Sequence, residues 1–273
     1  MKIYDCITFF QSNILFEVRF NTLKNFVDYF VICESTKTHM GYKKELNFNL
    51  KKWEKYKKKI IYIKVEDMPN FILKGKKDYK LLEFQMEKIF SGIKDASEND
   101  LIIFSDEDEI PNPTQIKKFL FNKYKFGIFL QNMYNYKLNI FNPCEGNGNW
   151  PGPRICKKKY LKSFFKLRLL KIKDAGMPFW KFYKERSIQL IKNGGWHFTY
   201  LMSPKEISNK IKNSAHSEFN REEFYSIKNI KNRIKNLQDL FNRNHIYRKV
   251  PLDKSFPKYI LNNKKKFNKW IAK

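Results

Sequence analysis

The chain has 273 residues, enough for one large domain with a substantial hydrophobic core. Its 55 Lys and Arg against 27 Asp and Glu give a formal net charge of +28. Such a charge predicts an anionic partner, such as nucleic acid, a lipid headgroup or a phosphorylated substrate, although a compositional bias toward lysine explains it equally well.

Four widely spaced cysteines argue against a zinc ribbon and against a disulfide framework. No apolar run is long enough to span a bilayer, and the N-terminus lacks the apolar core of a signal peptide. We therefore expect a soluble, cytoplasmic protein, with peripheral contact at a membrane surface left open.

The first half of the chain alternates strand-like and helix-like segments. Apolar, β-rich segments occupy residues 3–10, 27–33, 60–65, 101–110 and 126–133. Residues 13–26 and 79–93 carry apolar side chains at helical spacing. This alternation predicts an α/β fold with a mainly parallel central sheet flanked by helices.

The fourth apolar segment ends in four consecutive carboxylates, Asp106 to Glu109, directly before Ile110 and Pro111. Open α/β sheets bind ligands at the carboxyl ends of their strands. In an extended segment Asp106 and Asp108 point one way and Glu107 and Glu109 the other, so the two aspartates repel unless a cation lies between them. Hard oxygen ligands suit Mg²⁺ or Mn²⁺. A solvated acidic turn is the alternative.

The second half of the chain is less regular. Residues 142–153 form a predicted loop, residues 187–191 a short strand, and Gly194-Gly195 allow a tight turn before Trp196 and His197. His197 is either a third metal ligand or a histidine of the core. The basic tail after residue 258 contains Phe267 and Trp270, a mixture typical of a membrane interface.

Several blocks resemble glycosyltransferase family 17, which includes the β-1,4-mannosyl-glycoprotein N-acetylglucosaminyltransferases. They are residues 3–10, 17–23, 27–35, 104–111, 194–201 and 215–219, in the expected order. The resemblance implies a Rossmann-like fold of the GT-A type and inverting transfer from a nucleotide sugar, with a divalent metal at the aspartates. We therefore expect a transferase domain over residues 1–220 and a basic helical extension over residues 221–273 that packs on this domain or trails from it.

The chain departs from the family pattern at two places. Residues 11–14 read Gln-Ser-Asn-Ile where acidic residues are common, and Met86 stands where an arginine is expected. The resemblance therefore supports the reaction class better than it supports N-acetylglucosamine as the transferred sugar.

An inverting transfer needs a neutralised diphosphate, a pocket that orients both sugars and a base for the acceptor hydroxyl. We assign the metal to Asp106, Asp108 and His197. We assign donor binding to Thr8, Arg19, Glu34, Ser35, Asp106 and Trp196. An ion-pair role for Arg19 and core packing for Trp196 are the structural alternatives.

The catalytic base is a carboxylate near the acceptor. The candidates are Glu109, Glu145, Asp174, Glu185 and Glu218. Glu185 and Glu218 are preferred because they flank the block that contains Trp196 and His197.

The expected partners are a uridine-diphosphate sugar, a glycan or glycolipid acceptor and, at the periphery, an anionic membrane. A basic nucleic-acid-binding protein or a metal-dependent nuclease is the alternative, supported by the net charge and by aromatic residues among lysines. Nucleic acid is the less favoured partner because the basic residues are spread along the chain and form no known nucleic-acid motif. A sugar-binding protein without turnover is a third possibility.

Overall fold

The computed structural model describes residues 1–71, 79–143, 150–176, 185, 187–213 and 217–273. The α-helices are α1 (Asn13–Leu23), α2 (Lys80–Glu87), α3 (Pro113–Ile116), α4 (Phe164–Arg168), α5 (Pro204–Asn213), α6 (Glu222–Tyr225), α7 (Ile227–Lys235) and α8 (Lys258–Asn262). The strands are β1 (Ile3–Phe9), β2 (Tyr29–Ser35), β3 (Ile60–Val65), β4 (Leu101–Asp106), β5 (Glu109–Pro111), β6 (Phe126–Asn135), β7 (Ile140–Phe141), β8 (Trp150–Lys157), β9 (Ile188–Ile191), β10 (Gly195–Thr199) and β11 (Arg248–Lys249).

The strands form one sheet in the order β11-β7-β6-β8-β4-β1-β2-β3, to which β5, β9 and β10 are attached. Strands β3, β2, β1 and β4 are parallel, whereas β8 runs antiparallel between β4 and β6. The predicted α/β, Rossmann-like fold is confirmed. The sheet also contains antiparallel pairs, because β8 reverses direction between β4 and β6.

Alternation along the parallel strands supplies both faces of the sheet with apolar side chains. Cys6 and Phe104 point to the face covered by α2 and α4. Ile7 and Ile103 point to the opposite face, where Phe16 of α1 covers them. Met86, at the position where an arginine is expected, lies fully buried in the first of these cores.

The acidic segment is not the single strand that the sequence predicts. Strand β4 ends at Asp106, residues 107 and 108 form a turn, and β5 begins at Glu109. Strand β5 then pairs antiparallel with β10. Alternation from one continuous strand therefore does not decide where the four carboxylates point.

Arg19 connects the elements around this turn. Its Nε and Nη2 donate to the two carboxylate oxygens of Asp5 at 2.6 Å, and Nη2 also donates to Ser105 Oγ. Its Nη1 donates to the backbone oxygen of Glu109 at 2.9 Å. Because the side chain of Arg19 is fully buried, the structure supports the ion-pair role and not the contact with a donor phosphate.

The C-terminal residues pack on the rest of the chain. Phe267 is fully buried in a cluster with Phe198 and Ile260, and α8 packs against α1. The expectation that Phe267 lies in a membrane interface is therefore wrong, because its ring already belongs to the core. Among the described residues, no helix has the length and apolar character to cross a bilayer.

Buried Glu17, on α1, holds this C-terminal segment. Its carboxylate accepts hydrogen bonds from Tyr259 at 2.6 Å and from Lys266, and it pairs with Lys52 at 2.5 Å. Burial opposes ionisation of Glu17, but Lys266 and Lys52 outweigh it and lower the pKa of the carboxyl to about 2. The ionised carboxylate is thus the form that the fold stabilises.

Replacing Glu17 by Gln should lower the free energy of unfolding by about 2 kcal/mol, because three charge-assisted contacts are lost. Since the native pKa lies below that of an unfolded glutamate, this contribution is fully present above about pH 5 and lost as the pH falls toward the native value. Chemical denaturation at several pH values measures both effects. Glu54→Gln, at an exposed surface pair with Lys57, is the matched control, and equal losses in the two variants would contradict the role of Glu17.

Candidate active site

A cavity of about 370 Å³ lies at the carboxyl ends of β1 and β4. Its lining includes the four carboxylates of the acidic turn, His197 of β10 and Lys210 of α5. Phe219 and Phe241 also line it. The cavity is therefore assembled from both halves of the chain.

His197 reaches the cavity because β10 lies directly against β5, with His197 opposite Glu109 in the register. Gly195 opens β10 at φ +134°, and a Cβ at this position would collide with the backbone oxygen of Ile110. Glycine is required at this approach. The Gly194-Gly195 pair thus sets the place of the histidine, as the sequence suggests.

Glu107 organises the loop between β1 and α1. Its Oε2 accepts the backbone N–H groups of Phe10, Gln11 and Ser12 at 2.9 to 3.3 Å. Burial raises the pKa of this carboxyl. Glu107 is thus committed to positioning the cavity wall that Phe10 forms.

Asp108 is held between Lys210 and His197. Its Oδ2 accepts from Lys210 Nζ at 3.0 Å, and its Oδ1 lies 3.5 Å from His197 Nε2. Burial opposes ionisation of Asp108, but Lys210 and His197 outweigh it and hold the pKa of the carboxyl far below its usual range. Burial likewise disfavours the charged forms of Lys210 and His197, yet Asp108 raises the pKa of both.

Asp106 pairs with a different cation, Arg168 at the end of α4. Arg168 Nη2 donates to Asp106 Oδ2 at 2.8 Å. Burial opposes ionisation of Asp106, but Arg168 outweighs this and lowers the pKa of the carboxyl. In this structure Arg168 and Lys210 therefore supply the positive charges that the two aspartates require.

Glu109 is the fourth carboxylate of the cavity wall. Its Oε1 accepts from Trp150 Nε1 at 2.9 Å, and the Trp150 ring lies 4.9 Å from the ring of His197. Burial and the neighbouring charge of Asp106 raise the pKa of Glu109. A buried carboxylate with a raised pKa in a cleft has the properties of a proton acceptor.

A divalent ion fits this donor set in part. In the described ranges, no three His, Cys, Asp or Glu side chains are arranged to hold a metal. Asp108 Oδ1 and His197 Nε2 are separated by a distance that two ligands of one ion can have. His197 Nδ1, however, is buried, and the described residues do not give it the hydrogen bond that usually orients a metal-binding histidine. The residues fit an ion that arrives with a diphosphate, which would supply further oxygens.

Of the residues assigned to donor binding, Thr8 and Asp106 line the cavity. The others lie outside its lining. Glu34 is fully buried and accepts the backbone N–H groups of residues 47 and 48, and Ser35 Oγ accepts the backbone N–H of residue 37. Trp196 faces the other side of β10, where its Nε1 donates to the backbone oxygen of residue 255.

The candidate bases are also dispersed. Asp174 is buried and accepts the backbone N–H of Lys171. Glu185 lies 3.8 Å from Lys125, apart from the cavity lining. Glu218 precedes the lining residue Phe219, while Glu145 falls outside the described residues. The geometry favours Glu109, the candidate whose own side chain lines the cavity.

Sequence reasoning missed Lys210, Arg168 and His39, which all line the cavity. The first two are ordinary members of a set of 55 basic residues. Their positions become informative only when the fold brings them to Asp108 and Asp106. Trp150 also lines the cavity.

The chain is similar to three solved structures at low sequence identity. For 4-diphosphocytidyl-2C-methyl-D-erythritol synthase, the identity is 10%, the match covers 70% of this chain and 90% of that chain, and the TM-score is 0.39. For residues 1–349 of S. aureus TarS, the identity is 13%, the match covers 86% of this chain and 72% of that chain, and the TM-score is 0.39. For the inositol-1-phosphate CTP transferase from T. maritima, the identity is 13%, the match covers 85% of this chain and 96% of that chain, and the TM-score is 0.38.

No curated protein sequence matches the chain significantly. The family model of glycosyltransferase family 17 matches residues 1–142, which is just over half of the chain. This range includes β1, the Arg19–Asp5 pair and all four carboxylates of the acidic turn. The chain is therefore a transferase enzyme that belongs to glycosyltransferase family 17.

Proposed function

We propose that the enzyme transfers a sugar, N-acetylglucosamine as the first expectation, from a uridine-diphosphate donor to a hydroxyl of a glycan or glycolipid. The observation that carries the proposal is the cavity in which Asp106 and Asp108 face Arg168 and Lys210 at the carboxyl ends of two strands. Ligands of open α/β sheets bind at this edge.

The two cations suit the leaving diphosphate. Their aspartate partners fix the positions of the Lys210 and Arg168 side chains. These side chains therefore need little reorganisation when a diphosphate binds. Asp106, Asp108 and His197 would hold a Mg²⁺ or Mn²⁺ ion, whose chemistry is neutralisation of charge on the diphosphate. This extends the metal assignment made from the sequence.

Glu109 is assigned as the base that removes the proton of the acceptor hydroxyl. In an inverting transfer the acceptor oxygen attacks the anomeric carbon, the bond from this carbon to the diphosphate oxygen breaks, and the base takes the hydroxyl proton. The Glu109 carboxylate lies beside Trp150, whose ring offers a surface for a sugar. Glu218 is the second candidate because it directly precedes Phe219, which lines the cavity.

A cytoplasmic location is part of the same proposal. Peripheral contact with an anionic membrane would use exposed lysines such as Lys264 and Lys265, each attracted by headgroup charge. The contact would be electrostatic, since Phe267 is buried in the core.

UDP-N-acetylglucosamine with Mn²⁺ should raise the melting temperature, because a ligand that binds only the native state stabilises it. Thermal-shift assays with and without a chelator measure this, and a panel of other nucleotide sugars identifies the donor. The chelator should reduce the shift if the ion bridges the aspartates and the diphosphate. Absence of a shift with every nucleoside diphosphate would count against the proposed reaction.

Asp108→Asn should lower turnover on the order of 100-fold, because a charge that holds the ion and Lys210 is lost. It should also lower the free energy of unfolding by roughly 1 kcal/mol, since the half-buried Lys210 loses its charged partner. Like-charge repulsion alone would give the opposite sign of the stability change. Enzyme assays and denaturation test both effects, with Asp67→Asn at an exposed pair as the control; unchanged turnover would remove Asp108 from the site.

Glu109→Gln should lower turnover by about 100-fold or more while donor binding persists, because the general base is removed. In the native enzyme the acidic limb of the pH profile should lie above the pH expected for an ordinary glutamate, since activity is lost as the pH falls through the raised pKa of Glu109. Single-turnover assays of Glu109→Gln measure the loss, and Glu185→Gln is the matched control. Similar losses in both variants would argue against Glu109.

A further inference from the structure

His39 lines the cavity but has no role in the reaction proposed above. It follows β2, is half-buried, and lines the cavity together with Thr8 and Phe10 at the carboxyl end of β1. Asp106 and Arg168 are near enough to influence the pKa of its ring. A nucleotide whose diphosphate meets Arg168 can therefore place another part of itself near His39.

The ring of His39 has one defined tautomer. Gln85 Nε2 donates to the backbone oxygen of Cys33 at 2.9 Å, which leaves Gln85 Oε1 as the group that faces His39. His39 Nε2 lies 2.8 Å from this oxygen, so Nε2 must carry the hydrogen and Nδ1 is a hydrogen-bond acceptor. Gln85 is buried, and its orientation is thus set by the fold.

His39 also stays neutral. Burial lowers the pKa of its ring, the bond with Gln85 and the charge of Asp106 act in the opposite direction, and the net shift is downward. A neutral ring at neutral pH keeps its Nδ1 lone pair. Within the described part of the chain, Gln85 is the hydrogen-bond partner that His39 has, and Nδ1 is available to a ligand.

We propose that His39 Nδ1 accepts a hydrogen bond from the ring N–H of the donor's nucleobase and thereby selects uracil over cytosine. The inference rests on the proposed function. Uracil N3 carries a hydrogen, whereas cytosine N3 carries a lone pair that would face the lone pair of Nδ1. The Phe10 ring at the same end of the cavity offers a surface on which a base can stack.

This assignment replaces the nucleoside contacts expected of Glu34 and Ser35. Both of those side chains are used within the fold by backbone N–H groups. His39 follows the same strand a few residues later and reaches the cavity that they do not line. The proposed nucleoside contact thus stays at the carboxyl end of β2, but it is made by His39 instead of Glu34 and Ser35.

Calorimetric titration with UDP, CDP and 3-methyl-UDP tests the inference. The methyl group removes the N3 hydrogen and keeps the charge of the diphosphate. The native protein should bind UDP about 10-fold tighter than either analogue, the effect of one buried hydrogen bond. This comparison needs no mutation and does not depend on how a variant folds.

His39→Ala should bind UDP about 10-fold more weakly and should bind UDP and 3-methyl-UDP with similar affinity. His245→Ala, outside the cavity, should keep the native preference. Equal binding of UDP and 3-methyl-UDP by the native protein, or a preference that survives in His39→Ala, would overturn the role of His39 and leave the proposed function standing. Failure of the native protein to bind UDP at all would overturn both.

Discussion

The buried pair of Arg19 and Asp5 is the constraint on which the site depends. A charged guanidinium removed from water must have its donors satisfied, and Asp5, Ser105 and the backbone oxygen of Glu109 satisfy them. These partners lie on β1, β4 and β5, while Arg19 lies on α1. One side chain thus joins the helix to both sides of the acidic turn, and the turn is held at a defined place.

With the turn held, environment divides four adjacent carboxylates into different chemical roles. Asp106 and Asp108 each meet a cation, and their pKa values fall. Among the described residues, Glu107 and Glu109 are buried without a directly paired cation, and their pKa values rise. One short stretch thus supplies carboxyls with lowered and with raised pKa values, through differences in burial and partner.

The remaining walls of the cavity come from distant parts of the chain. Lys210 lies 102 residues from Asp108, and Arg168 lies 62 residues from Asp106. Phe241 belongs to the C-terminal residues, which Glu17 and the buried Phe267 bind to the first helix. The C-terminal segment is therefore part of the architecture of the site and not a trailing tail.

The sequence by itself determined the α/β order, most strands and the family, and it singled out the acidic segment as a candidate site, because these are recorded in local apolar patterns and contiguous motifs. Of the site residues predicted from the sequence, Asp106, Asp108, His197 and Thr8 line the cavity. Tertiary structure decided that β4 breaks after Asp106, that Arg19 and Glu34 are internal, and that Lys210, Arg168 and His39 line the cavity. The reason is physical: one lysine among many acquires a role only through a neighbour that long-range pairing brings to it, and no local pattern records that neighbour.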